Sequence, residues 1–354
     1  YNMLVSPIEI NPVEGKQILK EGTTNIYPKW HPTKIGFAYL SNKENDFFTQ
    51  TDLFYYDMER KEDKKLVGAV HSAPTWHSNG QMIYYSKKPK FPNKQGSKFY
   101  DIYSYDLETE DEERLTVDAR AFNPVFIERD SSIAYLSTYD GGQDIFLLNL
   151  KTGSSEKITN FNDRPILSFL VYSEESHSLF FDMTTHHYRN IGKLDLSSNG
   201  ITLEFDHPFY DERNMAVSGN GMKVFSQDKS GIYNLYLINP VDTTAGYVTN
   251  LSGGAFMPDI SKEGKVIYSL YKDGAYTIAL LDSINPIVED FVGYSSNYFE
   301  NNLGLVDPVT DLNQTESKSY TDQFPNMFIM PKIMLDYGTI KPGFYFYSSE
   351  VINR

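Results

Sequence analysis

The chain has no cysteine among its 354 residues, which excludes disulfide frameworks and thiolate metal sites. It has no apolar run long enough for a membrane-spanning helix. Basic residues are in deficit, with 32 Lys and Arg against 47 Asp and Glu and a net charge of −15. A surface this acidic repels a phosphate backbone, so nucleic acid is not an expected partner. The short acidic run Glu108 to Glu113 reads as a solvated hairpin tip.

Catalytic signatures are missing as well. A serine-hydrolase elbow needs Gly-x-Ser-x-Gly, and Ala216-Val-Ser-Gly-Asn220 has neither glycine in place. The zinc-protease pattern His-Glu-x-x-His, a phosphate loop and a dinucleotide fingerprint do not occur. The seven histidines are His31, His71, His77, His177, His186, His187 and His207. The adjacent His186 and His187 would point to opposite faces of a strand, poorly placed to chelate together. Turns such as Asp140-Gly141 lack the spaced oxygen ligands of a calcium loop. No catalytic residue, metal or cofactor is therefore expected. The chain starts at Tyr1 without Met or a visible signal peptide, and it reads as a piece of something longer.

What is present is a repeat. Tyr and Phe number 27 and 23 against 2 Trp, a composition that favours strands. Short apolar segments ending in a small or polar residue recur: Gly36-Phe-Ala-Tyr-Leu-Ser41, Met82-Ile-Tyr-Tyr-Ser86, Ile133-Ala-Tyr-Leu-Ser137, Leu179-Phe-Phe-Asp182, Lys223-Val-Phe-Ser226 and Val266-Ile-Tyr-Ser269. Their aromatic markers Tyr39, Tyr85, Tyr135, Phe181, Phe225 and Tyr268 are spaced by 46, 50, 46, 44 and 43 residues. That is the period of a propeller blade.

Other features keep phase with the markers. A proline-containing segment precedes four of them: Tyr27-Pro-Lys-Trp30, Ala73-Pro-Thr-Trp76, Asn123-Pro-Val-Phe126 and Met257-Pro-Asp-Ile260. Asp163-Arg-Pro-Ile166 and Asp211-Glu-Arg-Asn214 take its place in the fourth and fifth repeats. Polar turns such as His77-Ser-Asn-Gly80 join neighbouring strands as hairpins. A third strand follows, as in Ile102-Tyr-Ser-Tyr-Asp-Leu107, and a fourth ends near Leu66-Val67, Leu115-Thr116, Ile158-Thr159 or Val248-Thr249. The expected fold is all-β: a six-bladed β-propeller of four-stranded antiparallel blades, with seven blades open if the termini build one more, and a C-terminal strand-like extension. Residues 1–22 would supply the missing fourth strand of the last blade through Lys16-Gln-Ile-Leu19 and close the ring. The propeller would cover 23–292, a polar linker 293–323 and an aromatic tail 324–354.

The second repeat, with Pro74, Trp76, Asn79-Gly80, Ile83-Tyr-Tyr-Ser86, Asp101-Ile-Tyr103 and Leu115-Thr116, resembles the TolB-type (WD40-like, PD40) propeller repeat. The third carries the same marks in Asp144-Ile-Phe146 and Ile158-Thr159. The resemblance implies a periplasmic setting and protein partners in the cell envelope. Similar repeats also form the lid domain of prolyl-oligopeptidase-like enzymes, although no α/β half follows here. Fold alone does not specify function, because this repeat serves unrelated proteins.

The tail departs from the repeat. Pro331-Lys-Ile-Met-Leu-Asp-Tyr337 and Lys341-Pro-Gly-Phe-Tyr-Phe-Tyr347 are similar to the junction where some Bacteroidetes-type outer-membrane proteins pass from such a propeller into a β-barrel. Aromatic strand starts suit an interfacial girdle. The other expectation is an extra strand packed across the propeller.

The segments leading into the innermost strands carry His71, Arg120, Arg164 and Arg213, which would converge at one mouth of the channel. Such cations on an acidic protein suit an acidic partner or anion. Ordinary ion pairing with the nearby Asp118, Asp163 and Asp211 is the competing expectation. The expected function is a non-catalytic interaction or scaffold propeller, periplasmic and associated with the outer membrane. The alternative is an enzyme or a sugar- or peptide-binding module acting at the channel mouth.

Overall fold

The computed structural model describes residues 12–19, 21–47, 49–139, 141–186, 188–207, 209–293, 328–336 and 338–347. The linker expected over 293–323 therefore lies almost wholly outside the described residues. The chain divides into two compact units, Tyr1–Tyr298 and Phe299–Arg354.

In the first unit, the opening strand β1 is Lys16–Leu19. The first sheet then runs β2 (Asn25–Trp30), β3 (Gly36–Ser41), β4 (Asp52–Asp57) and β5 (Glu62–Val67). The second is β6 (Thr75–Trp76), β7 (Met82–Lys87), β8 (Asp101–Asp106) and β9 (Glu112–Arg114). The third is β10 (Ala121–Ile127), β11 (Ser132–Ser137), β12 (Asp144–Asn149) and β13 (Ser155–Lys157). The fourth is β14 (Ile166–Ser173), β15 (Ser178–Thr185), β16 (Tyr188–Asp195) and β17 (Ile201–Phe205). The fifth is β18 (Glu212–Val217), β19 (Lys223–Gln227), β20 (Asn234–Asn239) and β21 (Thr244–Tyr247). The sixth is β22 (Gly254–Ile260), β23 (Val266–Lys272) and β24 (Ala275–Leu281), with β1 antiparallel to β24 as its outer strand. This is an all-β propeller built from four-stranded antiparallel sheets.

The burial pattern follows from the position of each strand. β3 and β11 are buried along their whole length. Sheets pack against both of their faces, so their sequences read as near-continuous apolar runs. The outer strand β13 is exposed throughout, and β5 over most of its length. Charged residues on such edges oppose pairing with foreign strands. All six aromatic markers are at most 2 % exposed. Each contributes about 2–3 kcal/mol of apolar burial.

Successive sheets share apolar clusters in cyclic order. Leu40 and Leu53 meet Trp76 and Ile83, and Tyr84 and Ile102 meet Ile133 and Tyr135. Ala134 and Leu136 meet Leu179 and Phe181, and Phe180 meets Met215 and Phe225. Val224 and Leu235 meet Val266 and Tyr268. Ile267 and Ile278 return to Phe37 and Tyr39 of the first sheet.

The Asp-x-x and Leu-Thr marks of the repeat form a clamp. Thr116 donates to Asp101 at 2.9 Å, Thr159 to Asp144 at 2.9 Å and Thr249 to Asn234 at 3.0 Å. The same threonine hydroxyls accept the backbone N–H of Ile102, Ile145 and Leu235. Asp101 also accepts the N–H groups of Asp118 and Ala119 and pairs with Arg114. Each clamp ties the third strand of a sheet to the connection leading into the next one.

The innermost strands carry the second repeated device. Register shifts interrupt β2 between Ile26 and Lys29, β10 between Phe122 and Val125, β14 between Ser168 and Val171, β18 between Arg213 and Ala216, and β22 between Phe256 and Asp259. At these bulges Tyr27, Asn123, Phe169, Asn214 and Met257 have φ of +54°, +49°, +53°, +55° and +53°. A bulge re-aims a side chain, and the left-handed conformation costs about 1–2 kcal/mol per residue. This corrects the alignment of the fourth repeat. Asp163–Ile166 precedes and begins β14, whereas the counterpart of Tyr27-Pro28 is Phe169-Leu170, because the register shift falls there.

The second unit contains a hairpin of β25 (Phe328–Asp336) and β26 (Thr339–Tyr347), paired in register from Phe328–Tyr347 to Asp336–Thr339. One face carries Ile329, Pro331, Ile333, Leu335, Ile340, Pro342, Phe344 and Phe346. Lys332, Lys341, Thr339, Tyr345 and Tyr347 lie on the other, beside Phe328, Met330 and Met334. A pair flanking a two-residue turn is hydrogen-bonded, so Pro331 and Pro342 fall in non-hydrogen-bonded pairs and cost the ladder nothing.

Candidate interaction site at the mouth of the propeller

In an antiparallel meander, the connections between sheets and those between second and third strands emerge at the same end. His71, Arg120 and Arg164 lie on the former, and the 88–100 segment and the 228–233 segment on the latter. These segments form one mouth.

His71 stacks on Tyr100, with ring centroids 4.3 Å apart and planes 17° from parallel. Its edge is exposed, yet crowding by the surrounding protein, and then the charge of Lys88, hold its pKa below the ordinary histidine value. Lys88 lies 4.7 Å from the centre of the Tyr100 ring. The Arg120 guanidinium lies 4.4 Å from the Phe99 ring, and Lys90 is 5.5 Å from that of Phe91. His71 and Arg120 are thus brought to adjacent aromatic residues. Arg164 is exposed and runs beside Gly142.

The expected ion pairs are not the ones formed. Asp118 takes Arg114 at 3.6 Å and Asn93 at 3.1 Å. Asp211 accepts Tyr233 at 3.0 Å and the N–H of Arg189 at 3.3 Å. Among the described residues, no carboxylate lies within ion-pair distance of Arg120, Arg164 or Arg213. Aromatic faces hold Arg120 and Arg213 instead, and a cation held this way keeps its charge available.

Arg213 stands apart from the other three. It lies on β18, half-buried, 5.1 Å from the Tyr233 ring and 5.4 Å from Phe256. Rather than on a connection at the mouth, it lies within the strand, near Tyr27 and Asp182 at the axis. There Tyr27 of the first sheet stacks on Phe169 of the fourth, with ring centroids 6.0 Å apart. Lys29 lies 5.2 Å from Phe169 and pairs with Asp259 at 3.1 Å.

Asp182 lies close by, 3 % exposed, accepting the Asn214 N–H at 2.7 Å and its side-chain amide at 3.1 Å. Burial pushes Asp182 up to about 7 against the opposing pull of the Asn214 N–H, Arg213 and Arg189. A signal for it existed in the repeat: Leu40, Ser86, Leu136, Ser226 and Ser269 occupy the equivalent register position elsewhere, and only the fourth repeat puts a carboxylate there. Tyr233 is pushed up to about 12 by burial and then by Asp211 and Asp228.

No group of metal-ligating side chains forms among the described residues. His186 sits at the turn after β15 with φ +58°, and His187 lies outside the described residues.

No protein-family model matches the chain. Two curated proteins are similar to it. The Tol-Pal system protein TolB of Ruthia magnifica is 34 % identical over 105 residues, 28 % of this chain and 22 % of that protein. The protein of the same name from Wolinella succinogenes is 24 % identical over 241 residues, 62 % of this chain and 54 % of that protein. The matches thus span about half or less of the curated relatives. Among solved structures, TolB from Acinetobacter baumannii superposes with a TM-score of 0.52 at 17 % identity, covering 75 % of this chain and 65 % of that one. Oligogalacturonate lyase from Vibrio parahaemolyticus gives 0.52 at 13 % identity, covering 76 % and 81 %. Structural likeness at this identity speaks to fold alone. With the sequence matches, it makes the first unit a TolB-like β-propeller.

Proposed function

We propose that this TolB-like propeller is a non-catalytic protein-interaction module of the cell envelope, placed in the periplasm and associated with the outer membrane. The observation that carries the reading is the sequence similarity to a Tol-Pal system protein over 62 % of the chain. The mouth supports it: His71, Arg120 and Arg164 offer positive or aromatic-backed groups that internal carboxylates do not neutralise. Such groups on an acidic protein favour a partner with complementary charge.

In this reading the six sheets are the blades of one closed ring, which the cyclic order of the apolar clusters supports. Residues 1–22 then form the latch, 23–292 the ring, 293–323 the linker and 324–354 the tail. The tail is read as a membrane-facing β-hairpin. Its strands are nine residues long, and only one of its faces is wholly apolar. Barrel strands of that length alternate between lipid and lumen.

The test is fractionation of cells carrying the full chain with a photo-crosslinking side chain at Arg164, followed by identification of the adduct. The expected result is a crosslink to an envelope protein in the outer-membrane fraction. A soluble cytoplasmic monomer without adduct overturns the reading. Turnover or saturable binding of oligogalacturonate or a peptide substrate would favour the enzyme or ligand-binding alternative.

A further inference from the structure

The segment between β7 and β8 is the strongest charge anomaly in the molecule. Residues 87–100 read Lys-Lys-Pro-Lys-Phe-Pro-Asn-Lys-Gln-Gly-Ser-Lys-Phe-Tyr, five lysines and no acid in a chain of net charge −15. Only Lys87 is spent internally on a carboxylate, pairing with Glu112 at 2.9 Å. Lys88, Lys90, Lys94 and Lys98 are exposed, and among the described residues none forms an ion pair. Lys88 and Lys90 are held by aromatic faces instead.

Beside them a cleft of about 390 Å³ opens between Pro89, Phe91, Pro92, Lys94 and Val117. Phe91 is 72 % exposed and Val117 73 %. The acid in its wall, Asp118, is already engaged by Arg114 and Asn93. The cleft therefore combines an apolar floor with an uncompensated positive rim. A carboxylate-only ligand would leave the floor bare, and a purely apolar one would leave the rim unused.

We propose that this cleft docks an extended acidic segment of a protein partner: carboxylates flanking one aromatic or large aliphatic side chain, which enters between Phe91 and Val117. The carboxylates meet Lys88, Lys90 and Lys94, and Arg120 on Phe99 extends the positive rim towards the mouth. This rests on the reading of the propeller as an interaction module and names the chemistry of its partner. A phosphate polymer or lipid headgroup would satisfy the charge without using the floor.

The experiment is fluorescence anisotropy of the full chain with the labelled nonapeptide Asp-Glu-Asp-Glu-Phe-Glu-Asp-Glu-Asp, and with its Phe-to-Ala counterpart. The expected result is saturable binding that weakens with salt and falls severalfold without the Phe. K88E/K90E/K94E should bind about tenfold more weakly or worse, since rim charges govern encounter and salt dependence. F91S should lose affinity while keeping the wild-type salt slope. All four positions are exposed, and unchanged near-ultraviolet dichroism confirms the fold. The proposal is overturned by no wild-type binding at millimolar peptide, by unchanged affinity in the triple variant, or by equal binding of phosphatidylglycerol vesicles. If the Arg164 crosslink to an envelope protein forms while the peptide does not bind, the interaction function stands and this cleft is not its site.

Discussion

The ring of Tyr27 lies against that of Phe169, centroids 6.0 Å apart and planes 26° from parallel, and joins the first sheet to the fourth across the axis. Both residues occupy left-handed bulges, at φ +54° and +53°. Regular strands would leave these side chains among the sheet interfaces; the bulge turns them inward. The strain at both sites is offset by aromatic burial at the centre of the fold. Phe169→Ala should cost about 3–5 kcal/mol, the usual range for a buried Phe. Chemical denaturation reads the loss, and Phe169→Leu should restore much of it.

Asp182 should make the fold sensitive to pH. Its folded pKa is about 7, raised from 3.8 by burial. A carboxyl raised on folding favours the protonated native state. Its contribution is therefore fully present below pH 3.8 and is lost as pH climbs towards 7. A shift of this size corresponds to roughly 4 kcal/mol. Asp182→Asn should flatten the fall in stability between pH 4 and 7, measured by urea denaturation across that window. Asp182→Ser, which places there the residue of the second, fifth and sixth repeats, should flatten it as well.

The Asp101 clamp should be a major local contributor to stability. Its buried carboxylate meets Thr116, two backbone N–H groups and Arg114. Asp101→Ala leaves those donors without their acceptor and should cost about 3 kcal/mol or more. Thr116→Val removes one hydroxyl from the same network and should cost about 1–2 kcal/mol. Thermal melts of the two single variants and the double variant should show strong non-additivity, because the groups share one network.

The outer strand of the sixth sheet comes from the opposite end of the chain. Gln17 pairs with Ala279 and Lys16 with Leu280, and Lys272 reaches Glu14 at 2.7 Å. Removing residues 12–19 should expose the edge of β24 and lower the melting temperature. Concentration-dependent association, measured by light scattering, should follow from the uncovered edge.

The hairpin of the second unit should partition into detergent or lipid through one face. Ile333→Lys with Phe344→Lys places charge on that face, whereas Met334→Lys places it on the other. The first change should abolish partition into dodecylmaltoside micelles and the second should leave it largely intact. Equal behaviour of the two would show that the faces are equivalent.

The propeller class was legible because its determinants are local and periodic. Apolar runs long enough for strands buried on both faces, separated by Asn-Gly and Asp-Gly turns, recur at the blade period, and the Asp101–Thr116 clamp is a fixed spacing within one repeat. Long-range geometry was less accessible. Nothing local marks Phe169 as the counterpart of Tyr27, since a bulge is set by register with the neighbouring strand. Position in the repeat singles out His71, Arg120, Arg164 and Arg213, but not their environments: aromatic faces and enclosure depend on which segments meet. That Arg120 rests on Phe99, that Arg213 faces the axis, and that burial raises the pKa of Asp182 were decided only by tertiary structure. A side chain's charge state and availability depend on the solvent and neighbours that folding leaves around it, and those come from residues far away in the chain.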